Sequence, residues 1–304
     1  MPDPETQAAK PESVGSPDPA QLFPFPLDDF QLDAIDALNQ GHSVVVSAPT
    51  GSGKTLIGEY AIHRAMAHGQ KVFYTTPLKA LSNQKLRDFR EQFGVENVGL
   101  MTGDLSVNRD ASIVVMTTEI FRNMLYAEAD EHDDPLADVE AVVLDECHYM
   151  NDSQRGTVWE ESIIHCPPVV QLVALSATVA NAGQLTDWIE RVHGPTRLVL
   201  SDFRPVPLQF SFCSAKGLHP LLNEAGTGLH PNCKVWRAPK GHKRKGRSQR
   251  PPQPEPPPIS FVVAQMAERQ MLPAIYFIFS RRGCDKAVRD LGVQCLVTQE
   301  EQAR

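Results

Sequence analysis

Residues 44–55 read VVVSAPTGSGKT, three β-branched residues running into a polar, glycine-containing loop. Val44–Ser47 is apolar on consecutive positions, so as a strand it needs cover on both faces, as strands of parallel sheets do. The loop leads directly into a helix opened by Lys54–Thr55, with Leu56, Ile57 and Tyr60 on its apolar face. A doubly covered strand followed at once by a helix restricts the chain to a layered α/β architecture. In such a loop the backbone N–H groups point inward at an anion, helped by the positive end of the helix. The cradle comprises Pro49, Thr50, Gly51, Ser52, Gly53, Lys54 and Thr55. In this pattern the lysine reaches the β- and γ-phosphates of a nucleotide, and the Thr55 hydroxyl is placed for Mg²⁺. One departure stands out: the usual first glycine of GxxxxGK[ST] is Ala48. A glycine-rich turn without a ligand is the bland alternative, and the register of strand, loop, Lys-Thr and helix speaks against it.

The same alternation continues from residue 22 to 200. Val72–Thr75, Ile113–Thr117, Ala141–Asp145, Leu172–Leu175 and Arg197–Leu200 read as further strands. Between them lie helical patterns. FQLDAIDALNQ places Leu32, Ile35 and Leu38 on one side, with Asp28 or Asp29 as a cap and Gly41 after it. Leu86, Phe89 and Phe93 line a second helix that Gly94 ends. Alternating strands and helices over this length predict a doubly wound α/β domain with a mostly parallel sheet.

Two more stretches repeat the strand-then-polar-turn design. In AVVLDECHYM, Asp145 sits at the carboxyl end of an apolar strand, where ligands bind in open parallel sheets. A carboxylate there holds Mg²⁺, commonly through water. Glu146 beside it is the natural group to orient and deprotonate an attacking water. In LVALSATVAN, Ser176 and Thr178 are expected to cap the next element and to hydrogen-bond toward Asp145–His148. An acidic turn and a plain helix cap are the alternatives for each stretch taken alone.

Together, APTGSGKT, DECH and SAT resemble motifs I, II and III of the superfamily-two DExH-box helicases. PLKALSNQK (77–85) resembles motif Ia, Gly103–Asp104 motif Ib, and Thr117–Thr118–Glu119 the strand-end motif that follows. FPFPLDDFQ (23–31) resembles the adenine-reading segment. DECHYMNDSQRGTVWEE, SATVANAGQLTDWI and FRPVPLQ resemble the superkiller-type helicases of RNA decay. The resemblance spans residues 22–290 and implies a RecA-like P-loop domain over 21–200. It implies that Gln31 reads the adenine edge with Phe25 or Phe30 near the base, and that Gly51, Gly53, Lys54 and Thr55 hold the phosphates and Mg²⁺. Asp145 would be a metal ligand, Glu146 the catalytic base, and His148 the link from nucleotide state to Ser176 and Thr178. Pro77, Lys79, Ala80, Gly103, Thr117 and Thr118 would lie along a nucleic-acid backbone, single-stranded RNA by family and DNA as the rival. Taken singly, Lys79 and Lys85 read equally well as exposed helix lysines, and Thr117–Thr118 as an N-cap.

The rest of the chain divides by texture. Residues 1–20, rich in Pro and acid and lacking an apolar core, read as a disordered tail. Residues 201–272 form a linker in which eight Lys or Arg fall within 234–250. That run is either a solvated loop or an RNA-touching arm with Trp236 as a stacking residue. YFIFSRRGCDKAV resembles motif IV, the first strand and helix of a second RecA-like domain whose start would be 273–304. One such unit buries too little apolar surface to offset its ordering entropy, so Ala274–Phe279 is expected to be poorly ordered or packed on the first domain. Motifs V and VI, with the family's arginine finger, do not follow. The expectation is therefore a truncated, weakly active motor, with a non-catalytic nucleotide- or RNA-binding fragment as the alternative.

A net charge of −8 argues against binding nucleic acid by bulk electrostatics. Backbone tracking through amides and helix termini does not need a positive bulk charge. Six cysteines without a CxxC pair give no zinc ribbon or thioredoxin-type site. A reducing, cytoplasmic setting follows as the default, and no stretch long and apolar enough to span a bilayer is present.

Overall fold

A computed structural model describes residues 15–126, 135–152, 156–236, 256–292 and 296–297. They divide after Val206 into two compact units. In the first unit, α1 (Pro19–Leu22) and α2 (Asp29–Asn39) precede β1 (Ser43–Ser47), which feeds α3 (Thr55–Ala67) and β2 (Lys71–Thr76). Next come α4 (Lys79–Phe93), β3 (Val98–Met101), β4 (Ser106–Val107), β5 (Ile113–Thr117) and α5 (Thr118–Tyr126). The unit is completed by β6 (Val139–Leu144), α6 (Gly156–His165), β7 (Gln171–Ser176), α7 (Ala182–Val192) and β8 (Thr196–Leu200).

These eight strands form one sheet in the order β4-β3-β5-β2-β6-β7-β1-β8. Every pairing is parallel except β3 with β4. Consecutive apolar residues in each strand now have a reason. Val44 and Val46 join the core under α2, α3 and α4 with Leu38, Ile57 and Phe89. Val45, between them, faces the other layer, with Phe121, Trp159 and Ile189 of α5, α6 and α7. The strand period of two sends neighbours to opposite faces, and both faces are covered. The doubly wound, RecA-like α/β expectation holds.

Several local expectations change. Leu32 is exposed, because the buried face of α2 runs through Phe30, Gln31, Ala34, Ile35 and Leu38 instead. β3 and the edge strand β4 had no clear sequence signal, since they are short and Gly99 interrupts the apolar run. That glycine is required: a Cβ there would lie 2.0 Å from the Asn108 carbonyl oxygen on the antiparallel neighbour. The tail expected over 1–20 meets structure at its end, where Asp18 caps α1 by accepting from the Ala20 N–H at 3.0 Å. The Pro17 carbonyl accepts from the Tyr60 hydroxyl at 3.1 Å. Residues 1–14 lie outside the described residues.

The second unit contains a hairpin of β9 (Ser211–Ser214) and β10 (Gly217–Pro220), then α8 (Ile259–Glu268) and α9 (Arg281–Leu291). Ser280 caps α9, accepting from the Gly283 N–H at 3.0 Å. Ala274–Phe279, which motif IV would make the first strand of a further domain, forms no strand. A β-strand needs a partner for its N–H and C=O groups, and among the described residues none pairs with this segment. Ile275 and Phe277 are 82% and 79% exposed. Among the described residues no helix is long and apolar enough to cross a membrane.

Candidate nucleotide and nucleic-acid sites

Sheet order decides which loops meet. β6, β7 and β1 are adjacent and parallel, so the turns after them open at the same carboxyl edge. This juxtaposes the 48–55 loop, DECH and SAT, though 91 residues separate Lys54 from Asp145.

The loop is held by backbone and side chain together. The Ala48 N–H donates to the Ser176 carbonyl at 3.2 Å. Ser47 Oγ donates to the Ala177 carbonyl at 3.4 Å and accepts from the Val179 N–H at 3.3 Å. Ala48 is fully buried and does not have a positive φ, so glycine is not needed there. Gly51 and Gly53 do need their freedom, with φ of 85° and 86°. A Cβ on Gly53 would sit 2.7 Å from Gln31 Nε2. Gln31 is buried, accepting from the Asp28 N–H at 2.9 Å and donating to the Gly53 carbonyl at 3.1 Å. Its position thus couples the 23–31 segment to the phosphate loop. Phe25 stays half-exposed beside it, whereas Phe30 belongs to the core. Of the two aromatics proposed to lie near a base, Phe25 alone is accessible.

Lys54 Nζ donates to the loop's own carbonyls, Ala48 O at 2.8 Å and Pro49 O at 2.9 Å. Burial lowers its pKa, while the negative charges of Glu146 and Asp145 oppose that shift and Arg204 adds to it. Ser52 Oγ is buried and has no hydrogen-bond partner among the described residues. An ammonium bonded only to loop carbonyls and an orphaned hydroxyl suit an anionic group that would replace these contacts. Pro49 is buried with them, and Thr50 lies exposed at the rim.

Asp145 directly follows β6, its N–H donating to the Thr75 carbonyl at 3.0 Å. Its Oδ1 accepts from the Glu146 N–H at 2.9 Å, and its Oδ2 from the Tyr74 hydroxyl at 2.9 Å. Glu146 adopts the left-handed region at φ 54° and ψ 41°, a conformation that costs energy for a non-glycine residue and is common at functional turns. His148 Nδ1 lies 3.3 Å from Glu146 Oε2 and 3.4 Å from the Ala177 amide nitrogen. Neutral His148 protonated at Nε2 accepts that N–H, whereas protonation at Nδ1 would favour Glu146. DECH therefore reaches SAT through the Ala177 backbone. This corrects the expected side-chain link: Ser176 Oγ donates to the Ala177 carbonyl at 2.9 Å, and Thr178 is exposed. Neither residue caps α7, whose N-cap is Asn181. A cavity of about 270 Å³ lies here, lined in part by His148, Ser176, Leu185 and Trp188. Cys147, buried behind it, has its thiol pushed up to about 12 by burial.

Thr55 Oγ1, the other candidate metal ligand, receives the Lys85 ammonium at 3.4 Å. Hydroxyl and carboxylate oxygens are the donor set that Mg²⁺ takes, so Thr55 and Asp145 fit the ion. Beside them stand Tyr74, which sequence reading missed, and Lys85, which it named without placing it at this site. The one signal for Tyr74 was a phenol following apolar Val72 and Phe73 in a strand.

A second opening of about 430 Å³ lies beside β2 and β5, lined by Pro77, Leu78, Lys79, Gly103, Thr117, Glu119, Ile120 and Asn123. Lys79 Nζ pairs with Asp104 Oδ1 at 2.8 Å. Hydrogen bonds from Lys79 and then Thr102 hold the Asp104 carboxyl below its ordinary value. Ala80 is exposed at the second position of α4. Thr118 departs from expectation: it is fully buried and its hydroxyl donates to the Thr76 carbonyl at 3.3 Å, tying α5 to β2. Residues 237–255, most of the basic run, and the side chains of 234–236 with Trp236 lie outside the described residues.

Residues 28–185 match the DEAD/DEAH box helicase family. The chain is 46% identical over 306 residues to the chloroplastic DExH-box ATP-dependent RNA helicase DExH15 of Arabidopsis thaliana, covering 88% of this chain and 26% of that protein. It is 48% identical over 217 residues to the antiviral helicase SKI2 of Saccharomyces cerevisiae, covering 71% and 17%. It is 42% identical over 279 residues to the exosome RNA helicase MTR4 of Mus musculus, covering 88% and 26%. The chain thus spans about a quarter or less of the length of these relatives. A crystal structure of the DUF1998 helicase MrfA shares the fold at a TM-score of 0.58 and 17% identity, covering 90% of this chain and 39% of that one. The chain belongs to the DEAD/DEAH box helicase family and is of the superkiller type.

Proposed function

We propose that this chain is the nucleotide-hydrolysing motor of an ATP-dependent RNA helicase that moves along single-stranded RNA. The observation that carries the reading is the convergence of Lys54, Thr55, Asp145 and Glu146 at the edge of three adjacent strands, next to an opening lined by residues 77–123. The similarity to proteins named ATP-dependent and exosome RNA helicases supports RNA as the strand and RNA decay as the setting.

Each residue has a task that its surroundings allow. Lys54 would leave the Ala48 and Pro49 carbonyls for the β- and γ-phosphates, where a desolvated ammonium acts strongly. Gly51 and Gly53 let the backbone approach, and Gln31 with Phe25 takes the base. Mg²⁺, held by Thr55 and Asp145, would screen phosphate charge and polarise the phosphoryl group. Glu146 orients and deprotonates the attacking water. His148, between Glu146 and the Ala177 amide, passes the occupancy of the site to the SAT turn. Lys79, Ala80, Gly103 and Thr117 offer an ammonium, helix-terminal amides and a hydroxyl to phosphates, contacts that ignore base sequence.

Phosphate release from the full 304-residue chain, with and without single-stranded RNA, tests the reading. The expected result is Mg²⁺-dependent nucleotide binding with slow turnover, both lost in Lys54→Ala. RNA-stimulated turnover of several per second would overturn the weakly active reading. Binding that ignores Mg²⁺ and Lys54 would overturn the proposed function. Equal or tighter binding of a matched DNA oligonucleotide would move the substrate to DNA.

A further inference from the structure

We infer that Tyr74 is a positioning residue for the metal-holding carboxylate, its buried hydroxyl fixing Asp145 in the orientation that takes Mg²⁺. The inference rests on the proposed nucleotide site and adds a residue that the phosphate-loop and DECH patterns do not contain.

The argument begins with why a tyrosine stands there. Tyr74 is fully buried in β2, in a strand whose neighbours Val72 and Phe73 are apolar. A phenylalanine would fill the same apolar slot, and a buried phenol without a partner would cost free energy. Its partner is Asp145 Oδ2 at 2.9 Å, on the adjacent strand β6. In the register of these strands Tyr74 stands opposite Val143, and Thr75 opposite Leu144. The phenol therefore reaches a carboxylate just beyond the end of the paired region.

Three residues on two helices fix the ring. Phe89 of α4 meets it edge-on at 5.0 Å between centroids. Gly58 of α3 leaves it room, since a Cβ there would lie 3.1 Å from Tyr74 Cε2. The Lys85 ammonium sits 5.3 Å from the ring centroid and also touches Thr55 Oγ1 at 3.4 Å. A donor on a ring this constrained has little freedom, so it imposes a direction on the oxygen that accepts from it. The other oxygen, Oδ1, is tied to the Glu146 N–H at 2.9 Å. With one donor on each oxygen, rotation of the carboxylate is opposed, and each oxygen keeps lone-pair capacity for a further partner. Partners of a metal ligand commonly set its orientation in this way.

A merely structural hydrogen bond would look similar in the static picture but not in solution. The test is binding of a fluorescent ADP analogue to the full chain as Mg²⁺ is titrated, comparing wild type with Tyr74→Phe at a temperature where both are folded. The expected result is a rise of about tenfold or more in half-saturating Mg²⁺, the scale seen when a group that orients a metal ligand is removed. Affinity for the analogue in EDTA should stay within twofold. An unchanged Mg²⁺ requirement, whether or not the melting temperature falls, overturns the role of Tyr74 alone. Wild-type binding that ignores Mg²⁺ overturns the proposed nucleotide site as well. If Tyr74→Phe does not fold, 3-fluorotyrosine placed at position 74 alone gives the same answer in the intact chain. Its ¹⁹F resonance should move when Mg²⁺ is added to the ADP-bound protein, and a static resonance overturns the inference.

Discussion

Two neighbouring regions on the carboxyl edge of one sheet are built differently. Around β1, β6 and β7 the candidate groups are tied down: Asp145 has a donor on each oxygen, and the turns at 47–48 and 176–179 bond to each other. Beside β2 and β5 the polar contact at the rim is Lys79–Asp104, with side chains 55% and 72% exposed. Water screens an exposed ion pair, so it holds little and exchanges readily. A phosphoryl-transfer site works only if its groups stay within fractions of an ångström, whereas a track for a moving strand must release one phosphate to take the next. Under the proposed function, that difference in burial matches the difference in task.

The largest effect should come from the tied region. Lys54→Ala is expected to lower turnover about a hundredfold or more, the scale for losing one aimed cationic or hydrogen-bond donor. Glu146→Gln should cost about 10² to 10⁴ in turnover while nucleotide still binds, the range for a general base. Phosphate release alongside equilibrium binding separates the two variants, and equal losses in both assays for Glu146→Gln would break its assignment.

Next in size is a packing change at the far edge. Gly99→Val forces a side chain against the Asn108 carbonyl and should destabilise the first unit by about 1 to 3 kcal/mol, read as a shifted urea midpoint. The loss should fall on β3, β4 and the neighbouring groove, so RNA affinity should suffer more than nucleotide affinity. Lys79→Ala should weaken RNA binding several-fold and lower the salt slope by about 0.7, one phosphate contact on a single strand. No change in that slope would remove Lys79 from the track.

The smallest effects concern thiols. Burial raises the Cys147 and Cys166 pKa values to about 12. A group whose pKa is raised on folding contributes fully below its unfolded value, near 8.5, and that contribution is lost as pH climbs toward 12. Chemical denaturation followed from pH 8 upward should show this decline. Alkylation at pH 8 should label exposed Cys284 first and spare Cys147 and Cys166, and rapid labelling of Cys147 would show that the DECH turn opens.

Much of the nucleotide site was legible because its groups are contiguous in sequence. A loop of seven residues and a strand-end pair carry their own strand and helix signals, and Lys54, Thr55, Asp145 and Glu146 lie at the positions those signals gave. Residues whose role depends on a neighbour across the fold were not legible. Thr118 read as a track residue, yet its hydroxyl faces the Thr76 carbonyl on another strand. Ser176 read as a link to DECH, yet its hydroxyl turns back on Ala177.

The amino-acid sequence by itself determined the layered α/β class, because consecutive β-branched residues alternating with amphipathic helices have few other ways to bury both faces. It also determined which groups could do chemistry. Tertiary structure alone decided the strand order that brings residues 54 and 145 together. It alone decided that Gln31 bonds to Gly53, and that Lys85 meets Thr55 and Tyr74 meets Asp145. Such contacts join residues distant along the chain, so no local pattern encodes them, and only the packed sheet makes them neighbours.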